Sequence, residues 1–170
     1  MVRMQKRVLL IIAAAVLILL GVWRFWPRSL TRIGNMPETG FSKARANAVI
    51  FATENGNLKM DTYVLDISGR PEKQAEMIKI LSSVGYRQDL RNLVSWLWNG
   101  ISVSGSDKTA SVFLSWGSDA EESCRIEFLS GGLVAVAPGD GERSFLYHPT
   151  DQSVLNEIAG FIQREGELTH

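Results

Sequence analysis

Hydrophobic and polar positions divide the chain into three stretches. The first apolar run, Val8–Trp23, reads VLLIIAAAVLILLGVW, sixteen residues without a charge. As a helix it would be about 24 Å long, slightly short of a hydrocarbon core of about 30 Å. Its flank lengthens it, because the Arg24 stem can reach to an interface that suits Phe25 and Trp26. Pro27 then stops the helix. The pattern predicts a short basic tail at 1–7 and a single-pass transmembrane anchor at 8–26, with the lipid bilayer as its partner.

Processing signals do not change that expectation. A signal peptidase needs small residues just beyond the run, and Gly21-Val22-Trp23-Arg24-Phe25-Trp26 is bulky and charged there. No cysteine follows for lipid attachment, and a pilin-like helix would carry an early acid that this run lacks. A short basic N-terminus before an apolar run is the usual export arrangement. It predicts a signal anchor in the cell membrane, with a cytoplasmic N-terminus and an extracytoplasmic domain, although the flanking charges are nearly balanced.

The second stretch, 27–47, is polar and interrupted by Gly34, Pro37 and Gly40, which predicts a linker. From Ala48 the period changes to that of strands, and 48–170 reads as one α+β domain. Residues 48–54 and 58–67 flank Asn55-Gly56, the pair that a type I′ hairpin turn favours. Pro71 opens a predicted helix that runs to about Val84, with Gln74/Ala75, Ile78, Leu81 and Val84 on one face and Gly85 as its stop. Short runs at 101–104, 110–116, 124–129, 133–136 and 144–147, with turn residues between them, predict an antiparallel meander. A last helix begins near Thr150 or Asp151 and carries Val154, Leu155, Ile158, Phe161 and Ile162 on one face. The order predicts a mainly antiparallel sheet of six or seven strands with two helices packed on it.

Charge sharpens this division. Five of the eighteen basic residues and none of the eighteen acids lie in 1–28, which leaves thirteen bases against eighteen acids in the remainder. A domain with five net negative charges lacks the basic footprint that nucleic-acid binding requires. The lone Cys124 cannot form an intramolecular disulfide, and none of the Asn residues begins a glycosylation acceptor.

Candidate chemistry is sparse. Cys124 and His148 are the thiol and imidazole inside the domain, but Cys124 alternates with Ile126 and Phe128 as a small core residue would. His148 precedes Pro149 at a strand-to-helix junction, where a surface or capping role is ordinary. The acids Asp119, Glu121 and Glu122, and then Asp140 and Glu142, lie in loops without calcium-binding spacing. Gly131-Gly132 and Gly139-Asp140-Gly141 lack the Lys-Ser/Thr of a phosphate loop. No catalytic residue, cofactor or metal is predicted. The aromatics stand out instead. Trp96 and Trp98 share a face of an extended 93–99, and Trp116 ends a nearby strand, so the three form a candidate partner-contact surface. The expected function is a membrane-anchored, non-catalytic binding or regulatory module of the bacterial cell envelope, contacting an envelope protein. The alternatives are a tethered hydrolase acting on cell-wall or lipid material and a structural subunit of a membrane assembly.

Overall fold

A computed structural model describes residues 2–38, 40–54, 57–93, 108–117, 122–139 and 144–169. In chain order the elements are α1 (Val2–Arg24), α2 (Leu30–Ile33), β1 (Lys43–Glu54), β2 (Asn57–Asp66), α3 (Pro71–Leu81) and β3 (Tyr86–Gln88). A 3-10 turn (Leu90–Leu93), β4 (Lys108–Trp116), β5 (Glu122–Leu129), β6 (Val134–Pro138), β7 (Phe145–Pro149), α4 (Ser153–Glu165) and β8 (Glu167–Thr169) follow. The strands form one antiparallel sheet in the order β3-β7-β6-β5-β4-β1-β2-β8. The fold is α+β, with eight strands and four α-helices among the described residues.

Side-chain alternation explains how the layers meet. Ala44, Ala46 and Ala48 on β1 point inward and are buried, and α4 lies across β1 and β2. Three small side chains in a row leave room for that helix. From α4, Val154, Ile158, Phe161 and Ile162 fill the space, each with no exposed surface, as their spacing along one helical face requires. On α3, Met77, Ile78 and Leu81 join the same core. Gln74 sits buried in that face too, and its Nε2 donates to the carbonyls of Phe41 and Ile67 at 3.1 Å each. Those bonds satisfy an amide that would otherwise be costly to bury.

Two expectations need correction. Residues 27–47 are not a free linker. Leu30, Met36 and Phe41 enter the main core, β1 already begins at Lys43, and Arg28 bridges to Tyr86 on β3. The short polar runs hide single apolar residues that each find the core. The transmembrane reading is corrected as well. The apolar run does form a helix of 23 residues, Val2–Arg24. Yet among the described residues no helix is long and apolar enough to cross a membrane. The physical reason is visible in the sequence: the uncharged run is only sixteen residues, bounded by Arg7 and Arg24. The single-pass anchor, the membrane localisation and the two-sided topology built on it are withdrawn.

Smaller differences follow from local geometry. α3 ends at Leu81, so Val84 and Gly85 lie beyond it. Thr150 and Asp151 do not cap α4 directly. Asp151 Oδ1 accepts from the Ser153 amide at 2.8 Å, and Thr150 Oγ1 accepts from the Gly85 amide at 3.1 Å. The edge strands β3 and β8 are three residues each, too short to leave a periodic signature. The expected strand at 101–104 and the turn at 55–56 lie outside the described residues.

Candidate functional site at the foot of the first helix

Of the predicted contact surface only Trp116 lies among the described residues. Trp116 is a core residue: its ring meets Phe41 edge-on at 6.0 Å, and its Nε1 donates to Glu122. Trp96 and Trp98 lie outside the described residues, as do Asp119, Glu121, Asp140 and Glu142. Cys124 is fully buried on β5 opposite Leu114, and burial pushes its thiol up to about 12. A thiol in that state is not a nucleophile. Among the described residues no three His, Cys, Asp or Glu side chains are grouped to hold a metal.

What the fold does bring together is the C-terminal end of α1 and the edge strand β3. After Pro27 the chain runs beside β3, and Arg28 and Tyr86 exchange two backbone hydrogen bonds of 3.0 and 2.8 Å. Gly85 permits this approach, since a Cβ there would stand 2.8 Å from Pro27 Cβ. Tyr86 anchors the strand from below, fully buried, with its hydroxyl donating to Leu81 O at 2.9 Å. α1 is thus fixed to the domain at its foot by paired backbone groups.

Beside that junction lies a polar triad of residues. Asp89 follows β3 and is nearly buried. Arg91 donates to it twice from its guanidinium, at 3.0 and 3.1 Å, and once from its amide at 2.7 Å. His148 Nε2 meets the same carboxylate at 2.8 Å. The Arg91 guanidinium holds the Asp89 carboxyl down to about 2, helped by the Arg91 amide and His148 and opposed by burial. A histidine oriented by a carboxylate is two parts of a nucleophilic triad. Among the described residues, however, the bonds of His148 go to Asp89 alone, and no hydroxyl or thiol is paired with it.

Two adjoining clefts share Phe25 and Arg87. One, of about 500 Å³, runs over Leu90, Asp89 and His148; the other, of about 400 Å³, runs up α1 along Val22 and Trp26. Arg87 stands directly opposite His148 in the β3–β7 pairing, so both side chains occupy one face. Arg87 is exposed and, among the described residues, has no carboxylate partner. Around the other side of β3, Arg24 and Arg28 crowd Tyr86 and Tyr147, and the Arg28 guanidinium lies 5.1 Å from the centre of the Trp23 ring. Sequence reasoning missed this collar. Asp89 and His148 are 59 positions apart, and only the pairing of β3 with β7 joins them.

No family model, curated protein or solved structure matches the chain.

Proposed function

We propose that this chain is a non-catalytic binding module whose docking element is α1. The supporting observation is the outward surface of that helix. Its large apolar residues from Leu10 to Trp23 are 48–70% exposed, on every side of the helix. A helix that is apolar all round is ordinarily covered by a larger core, and a contiguous apolar patch of this extent marks an interaction site. The paired backbone bonds at Arg28 and Tyr86 support the same reading, because they give a docked partner a fixed direction relative to the sheet. The partner that fits is a protein that offers an apolar groove or helices of its own.

The test is a pair of variants in the full chain. Leu17→Gln with Leu20→Gln should leave the circular dichroism spectrum and the unfolding midpoint unchanged, while stripping the partner from the complex isolated from cells. His148→Ala should leave both unchanged. A hydrolase would give the reverse: cellular function lost with His148→Ala and kept when α1 is made polar.

A further inference from the structure

We infer that the groove shared by Phe25 and Arg87 binds a small anionic amphiphile, an oxyanion carried on a short apolar chain. The charge balance of the groove is the first reason. Asp89 is already neutralised by the bidentate Arg91 and is also bonded by His148, while Arg87 has no ion-pair partner among the described residues. A guanidinium left without a carboxylate beside an open cleft is a ready site for carboxylate or phosphate.

Shape is the second reason. The two clefts meet at Phe25 and Arg87 and have volumes of about 400 and 500 Å³, within the range of small-molecule sites. From Arg87 one arm leads past Phe25 to Trp26 and to Val22 in the last turn of α1, an apolar track. The other passes Leu90, which is 69% exposed. Charge sits at the middle and apolar surface runs outward, the arrangement an amphiphile would match. Inorganic phosphate alone would leave the apolar arms empty, and an uncharged chain would leave Arg87 unpaired.

This inference does not depend on a protein partner along α1, and its test separates the two. Calorimetric titration of the full chain would compare decyl phosphate below its micelle concentration, inorganic phosphate and decyl maltoside. Decyl phosphate should bind one to one, at least about tenfold more tightly than either of the others. Arg87→Gln should weaken it about tenfold or more, Arg87→Lys should restore part of the loss, and Leu17→Gln should leave it unchanged. As Arg87 is exposed, the melting temperature of the Gln variant should match the parent, which separates lost binding from lost folding. Equal binding of inorganic phosphate would mean a simple oxyanion site and overturn the proposal. So would equal binding of decyl maltoside, an affinity that follows Leu17 rather than Arg87, or no decyl phosphate binding at millimolar concentration.

Discussion

The first and last helices use much the same apolar residues and end in opposite environments. In α4 the apolar residues fall on one face, Val154, Ile158, Phe161 and Ile162, and all four are fully buried. Glu157 and Gln163 stay on the solvent side. In α1 the apolar residues surround the helix, and large ones such as Leu10, Leu17 and Trp23 are about two-thirds exposed or more. The difference shows that period, not apolar content, decides where a helix packs within its own domain. A one-sided stripe has one place to go. An all-round surface satisfies no single-layer packing within the domain, and these residues stay exposed.

Substitutions can break that comparison, and the largest effect belongs to α4. Phe161→Ala should cost about 3–5 kcal/mol, from lost transfer and an unfilled cavity under the sheet. Leu17→Ala removes an exposed side chain and should change stability by less than about 0.5 kcal/mol. Urea unfolding of the two variants reads the contrast directly. Comparable losses would place α1 inside the cooperative core.

Next in size is the seat of α1. Gly85→Ala drives a Cβ to 2.8 Å from Pro27, an overpacked contact that should cost about 1–3 kcal/mol. The loss should be local. Amide exchange at Arg28 and Tyr86 should accelerate, while the amides of Ile126 and Phe128 on β5 should slow or quicken only with global unfolding.

Somewhat smaller than the Gly85 effect is an electrostatic one. The Asp89 carboxyl is lowered to about 2, so its contribution is present above the unfolded carboxyl value near 4 and is lost as pH falls through about 2. Asp89→Asn should therefore cost about 1–2 kcal/mol at neutral pH and flatten the acid side of the stability profile. A parent and variant with parallel profiles from pH 6 to pH 2 would remove the Asp89 pair from the account.

The comparison also explains what the sequence reveals. Strong local signals read correctly: the α4 stripe, Pro71 at the start of α3, and the β1–β2 hairpin, whose register runs from Arg45 opposite Asp66 to Glu54 opposite Asn57. Non-local ones do not. Leu30 and Phe41 are lone apolar residues in polar surroundings, and only tertiary packing tells them from linker residues. Trp116 looks like a free aromatic until Phe41 and Glu122 close around it. The Arg87–His148 face arises from two strands far apart in the chain, one of them only three residues long. The apolar run of α1 announces a helix but not its environment, and among the described residues no helix is long and apolar enough to cross a membrane.

The central claim, that α1 docks a protein partner, is tested most directly by site-specific photo-crosslinking in cells. A photoreactive residue would be placed in turn at Leu10, Ile11, Ile12, Val16, Leu17, Ile18, Leu19 and Leu20, with Lys79 on α3 as control. The account predicts one discrete protein adduct at positions on every side of α1 and none at Lys79. Adducts absent along the whole of α1, or no stronger there than at Lys79, would contradict it.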